Sequence, residues 1–151
     1  MKKILFISIY GHLSYSNAIK KALIKNDYMV YEPEYYVWTD VEENSNIQKK
    51  QNIKYVDAVL KNDIDWILVI NHSYVDRSFF DICHKRNIKV FLYTMDSVRW
   101  CDYATDYLDD YTGIYSYEPT DCISGMLPAK IEYLPIGYDE DIGPMSRFST
   151  T

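Results

Sequence analysis

Residues Trp66–Thr94 read WILVINHSYVDRSFFDICHKRNIKVFLYT, two short apolar runs flanking a segment of helical periodicity. Trp66–Ile70 is almost wholly apolar, the composition of a strand covered on both faces. Phe79, Phe80, Ile82 and Cys83 recur at helical spacing, and Asn87 is expected to stop that helix before the second run, Lys89–Thr94. Strand, helix and strand in this order form a βαβ unit, in which the two strands pair in parallel through a right-handed crossover.

The same alternation extends in both directions. Upstream, Ile4–Ile9 reads as a first strand. Ser14, Ser16 and Asn17 offer N-caps for a helix that groups Ala18, Ile19, Ala22 and Leu23 and ends near Asn26. Tyr28–Tyr31 is a second, weaker strand, and Glu34–Glu43 is an aperiodic loop leading into a helix over Asn44–Leu60, with Ile53, Val56, Val59 and Leu60 facing the sheet. Downstream, a tyrosine-rich helix carrying Trp100, Ala104, Tyr107 and Leu108 runs to Gly113. Ile114–Tyr117 is then a strand, Pro119–Ile123 a short helix and Ile131–Leu134 a last strand before Pro135. The expectation is an α/β domain over residues 1–138, a Rossmann-like parallel sheet of about six strands with helices on both faces. Residues 139–151, polar and aperiodic toward the end, are expected to be a linker or a loose tail.

Composition narrows the function. The 151 residues are 48% hydrophobic, one domain's worth of core-forming material. A net charge of −6 argues against nucleic acid as a partner. Cys83, Cys101 and Cys122 form neither a CxxC pair nor an even set, which fits a reducing cytoplasm better than a disulfide framework or a zinc site. The run after Lys2 and Lys3 is too short for an export signal, and no stretch is long enough to cross a bilayer, so any membrane contact would be peripheral.

Ligands of open parallel sheets bind at the carboxyl ends of the strands, so the residues there are the candidates. The loop after the first strand, Tyr10–Ser16, has only Gly11 where a dinucleotide fingerprint needs three glycines; no nicotinamide or flavin cofactor is expected. Backbone N–H groups near Gly11 can still meet a phosphate or sugar, or simply form a capped turn. His12 can serve as a base or remain a solvated side chain. After Ile70, Asn71, His72 and Ser73 can hold sugar hydroxyls, and Ser73 can equally cap the next helix. Asp96 follows an apolar strand with Arg99 one turn on. The arginine can keep the carboxylate ionised, ready to accept a proton from an acceptor hydroxyl, or the pair can be a helix cap and its counter-charge. Glu118 stands after the fifth strand as a hydroxyl ligand or a cap of the short helix that follows. The 16 tyrosines suit carbohydrate faces, although several occupy packing positions.

The segments KILFI (Lys3–Ile7), VFLYTMDSVRW (Val90–Trp100), YSYEPTD (Tyr115–Asp121) and YLPIGYDED (Tyr133–Asp141) resemble a family of bacterial glycosyltransferases related to the spore-maturation protein CgeB. That resemblance implies a GT-B architecture in which Leu134–Asp139 crosses from the first domain to the second. It also implies a cytoplasmic role in building cell-surface polysaccharide, with this chain as the acceptor-side half and the nucleotide-sugar donor held by a second domain. Asp96, His12 and His72 are then the catalytic candidates, and Gly11, Asn71, Ser73, Arg99, Glu118 and Tyr138 the substrate-binding ones. The competing expectation is a Rossmann-like binding or assembly module without activity, since fold alone does not establish chemistry. A receiver-like or flavodoxin-like signalling domain fits less well, because no acidic pair follows the first strand.

Overall fold

The structure is a computed structural model that describes residues 1–8, 14–33, 44–70, 75–94, 97–98, 106–123, 125, 127 and 129–135. Its strands are β1 (Lys3–Ile7), β2 (Met29–Tyr31), β3 (Trp66–Ile70), β4 (Lys89–Thr94), β5 (Gly113–Ser116) and β6 (Glu132–Tyr133), and its helices are α1 (Ser14–Lys25), α2 (Asn44–Lys61) and α3 (Arg77–Lys85). All six strands pair in parallel, in the order β2-β1-β3-β4-β5-β6. No helix among the described residues is long and apolar enough to cross a membrane.

The order of the strands decides which face each helix covers. From β2 onward every connection carries the chain toward the β6 edge, so right-handed crossovers all fall on one side. There α2 and α3 bury Tyr55, Val59, Phe79, Phe80 and Cys83 against Leu5, Ile7, Ile67, Val69, Val90, Leu92 and Ile114. Only the β1–α1–β2 connection runs the other way. Its helix lies on the opposite face, where Ile19 and Leu23 pack against Phe6, Ile70 and Tyr93. That face is covered over β1 but opens into a groove of about 700 Å³ floored by Trp66, Leu68, Phe91 and Tyr115.

Short-range chemistry sets the helix ends. Asp27 and Asn87 adopt φ of 63° and 55°, the left-handed conformation that Asn and Asp tolerate best among residues with a side chain. Beyond them the Tyr28 N–H donates to Leu23 O (3.1 Å) and the Ile88 N–H to Cys83 O (2.9 Å), so both helices close in Schellman fashion and release the chain directly into β2 and β4. At the start of α3, Asp76 Oδ1 accepts from the Ser78 N–H at 2.9 Å. Asn52 of α2 holds that cap. Its Oδ1 accepts from the Asp76 N–H (3.0 Å) and its Nδ2 donates to Asp76 Oδ1 (2.8 Å).

Two expectations are corrected. The buried side of α2 is Ile47, Gln51, Asn52, Tyr55, Ala58 and Val59, whereas Ile53 and Leu60, expected to face the sheet, are 66% and 47% exposed. The polar Gln51 and Asn52 lie on the buried stripe, and Asn52 is admitted there because Asp76 and Ser78 satisfy its amide. In the tyrosine-rich segment the described residues form a 3₁₀ turn at Leu108–Asp110, clipped to α3 where Arg77 donates twice to the Asp110 carboxylate (2.6 and 2.8 Å). Trp100 and Ala104 lie outside the described residues.

Candidate functional site at the carboxyl edge

The strand order reverses between β1 and β3, which makes the carboxyl ends of these two strands the switch point where sheets of this kind open a crevice. Polar burial concentrates on this edge. Of the buried polar side chains, Ser8, Ser16, Thr94, Ser97, Ser116 and Asp121 all lie at or just beyond strand carboxyl ends or at the start of α1. Ser8, directly after β1, shares a 2.8 Å hydrogen bond with Ser16 of α1. This ties the first strand to the helix that follows it.

Asp121 is the hub of the edge. It is 2% exposed and sits in the 3₁₀ turn Pro119–Cys122 after β5. Oδ1 accepts from Ser97 Oγ at 2.6 Å, and Oδ2 accepts from the Val98 N–H and from Ser116 Oγ, both at 2.8 Å. Ser116 Oγ in turn accepts from the Glu118 N–H at 3.0 Å. A buried carboxylate is tolerable only with such a set of donors, each charge-assisted bond contributing about 1.5–3 kcal/mol. The network joins the end of β5, the turn after it and the two described residues after β4. Beside it Thr94, the last residue of β4, is completely buried and its Oγ1 has no hydrogen-bond partner among the described residues.

Of the residues singled out from the sequence, Glu118 is described. Its Oε1 accepts from the Thr120 N–H (3.1 Å) and Thr120 Oγ1 (2.9 Å), so it caps the 3₁₀ turn. Gly11, His12, Asn71, His72, Ser73, Asp96, Arg99 and Tyr138 lie outside the described residues. Sequence reasoning passed over Asp121, Ser116 and Thr94. The available signal was the period-two alternation of β4 and β5, which turns Thr94 and Ser116 inward; an inward hydroxyl requires an acceptor, and Glu118 and Asp121 are the two carboxylates within five residues of Ser116.

Other reactive groups are quiet. Burial pushes the Cys83 thiol up to about 12, leaving it protonated and inert at neutral pH. The Cys122 thiol is raised by burial and then by the neighbouring charges of Asp121 and Glu118. Burial also raises the Tyr93 hydroxyl, with Tyr133 and Tyr117 adding to it, and that hydroxyl donates to Leu134 O at 3.2 Å. Among the described residues no group of three or more His, Cys, Asp or Glu side chains is arranged to hold a metal ion.

No family model matches the chain, and no curated protein matches it. In three dimensions it is similar to the crystal structure of MurG from Acinetobacter baumannii, a GT-B glycosyltransferase. The TM-score is 0.64 at 11% sequence identity, over 92% of this chain and 46% of that one. The chain thus spans about half the length of MurG, and its fold is that of a GT-B Rossmann-like domain.

Proposed function

We propose that the chain is the acceptor-side half of a GT-B glycosyltransferase of the CgeB-like kind, with residues 1–138 as the domain and 139–151 as the crossing toward a donor-binding domain. The observation that carries this reading is the extent of the structural likeness: nearly all of this chain superposes on a little under half of a glycosyltransferase. β1 and β3 flank the switch point, and His12 and His72 follow them in the sequence by five and two residues. Asp96 follows β4 by two residues and is the proposed general base toward the acceptor hydroxyl, with Arg99 as its counter-charge and His12 and His72 in supporting roles. Gly11, Asn71, Ser73 and Tyr138 are proposed to contact the sugars, and Glu118 to contribute from the cap of the turn after β5. The acceptor is a glycan or a similar hydroxyl-bearing molecule, and the proposed setting is the cytoplasmic side of cell-surface polysaccharide synthesis.

Titration calorimetry of the 151-residue chain against UDP- and GDP-sugars tests the division of labour. The expected result is weak or undetectable binding, because the donor site belongs to the other half. Tight stoichiometric binding would place the donor site here and overturn the assignment.

A further inference from the structure

We propose that the groove beside α1 is a docking surface for an acidic amphipathic helix carried by a partner protein. Parallel sheets are found with both faces covered, because their strands present apolar side chains on both. Here α2 and α3 cover one face. On the other α1 covers β1, and no other described helix lies over the floor of Trp66, Leu68, Phe91 and Tyr115. Phe91 reaches toward β5 across Gly113, where a Cβ would come within 3.1 Å of its ring, so the glycine keeps that side of the floor low. From β3 to β5 the floor is two strand spacings wide, about 10 Å, the diameter of one helix. Along the strands Lys89 to Tyr93 spans about 13 Å, room for about two and a half helical turns.

The rim decides the chemistry of the occupant. Lys2 and Lys89 border the groove at the amino end of the sheet, both exposed and neither in an ion pair among the described residues. Asp65, before the strand between them, has Oδ2 engaged by the Lys3 N–H at 2.7 Å. The wall, α1, carries Lys20, Lys21 and Lys25 and no acidic residue, with Lys20 paired to Glu32. A chain of net charge −6 thus sets a basic border around an apolar floor. A helix with an apolar stripe flanked by Glu or Asp complements both. A second copy does not, since its α1 would bring lysines against Lys2 and Lys89. A flat bilayer surface does not either, because α1 stands about 10 Å above the sheet and meets it first.

The test is an NMR titration of the 151-residue chain with two synthetic helices of about 16 residues. Both carry leucine at i, i+3, i+4 and i+7; one has glutamate and the other lysine at the flanking positions. The glutamate helix is expected to bind, with the largest amide shifts at Leu68, Phe91 and Tyr115, and the lysine helix to bind about 10-fold more weakly or less. Lys2→Glu/Lys89→Glu should weaken the glutamate helix by about 10-fold, as should raising the salt from about 50 to 500 mM. Both lysines are exposed, so this variant leaves the core in place. Lys49→Glu/Lys61→Glu, an equal charge change on α2, should leave the affinity within about twofold. No binding at about 1 mM peptide, equal affinity for the two helices, or shifts confined to other surfaces would overturn the proposal. Dimerisation of the chain through the same residues would give the groove to a second copy instead. Cosedimentation with phosphatidylserine vesicles that the Lys2/Lys89 variant abolishes would give it to a membrane. A complete two-domain protein that ignores the helix bound by the 151-residue chain would show the groove to be filled from its own polypeptide.

Discussion

Thr94→Val should raise the stability of this chain, against the usual sign of such a change. Where a buried threonine hydroxyl is bonded, replacing it with a methyl group strands the partner and lowers stability. Here the side chain is completely buried and Oγ1 has no partner among the described residues, so the folded state bears the desolvation of a hydroxyl without compensation. That penalty is about 1–3 kcal/mol, and valine has nearly the same shape and the same preference for strands. Allowing for small misfits, a gain of about 1–2 kcal/mol is expected, which for a domain of this size raises Tm by about 2–8 °C. Thr94→Ser separates the contributions, because it keeps the hydroxyl and removes a buried methyl group, costing about 1 kcal/mol. Thermal melts followed by circular dichroism, with urea titrations at one temperature, decide the matter. A Val variant that melts below wild type would refute the reasoning and show that the hydroxyl is satisfied in solution.

In the complete two-domain enzyme, Asp96→Asn should lower turnover by about 100-fold or more with little change in melting temperature, if the residue is the base. A variant that melts several degrees lower yet turns over normally would make Asp96 a helix cap and return the catalytic assignment to His12 or His72. Stability should also fall in alkali through Cys83, whose thiol is raised by burial from its ordinary 9.0 to about 12 in the fold. Below 9 both states hold the proton; above it only the unfolded chain releases it, so native stability is lost at about 1.4 kcal/mol per pH unit until about 12. Between pH 8 and pH 10.5 wild type should lose about 2 kcal/mol more than Cys83→Ala in denaturant titrations. Parallel losses in the two proteins would exclude the thiol as the cause.

The parts of the fold that were legible in the sequence are those governed by neighbours along the chain. Trp66–Ile70 and Lys89–Thr94 appear as strands with the bounds read from their apolar runs, and α3 gives way to β4 through Asn87, the residue expected to stop it. The face of α2 was not legible. Asn52 is polar by every scale and becomes a core residue only because Asp76, 24 residues on, meets its amide. The same holds for the carboxyl edge. Asp121 stands within a segment already noted for Glu118, yet its partners Ser97 and Val98 lie 24 and 23 residues upstream, and local spacing carries no information about them.

The single reversal in strand order has a consequence for how the sheet assembles. Pairing Trp66 with Lys89 closes a segment of 23 residues, and pairing Ile4 with Trp66 closes one of 62. The longer closure costs about 0.9 kcal/mol more in chain entropy, before any difference in the contacts it gains. The β3–α3–β4 unit also contributes Phe79, Phe80 and Cys83 to the cluster that holds its own Ile67, Val69, Val90 and Leu92, so part of the core lies within it before β1 arrives. The chain's first strand is therefore expected to be a late arrival, docking on an edge of β3 that has already formed. The crevice between β1 and β3 would then be the last seam of the domain to close, and so the part of it most readily reopened.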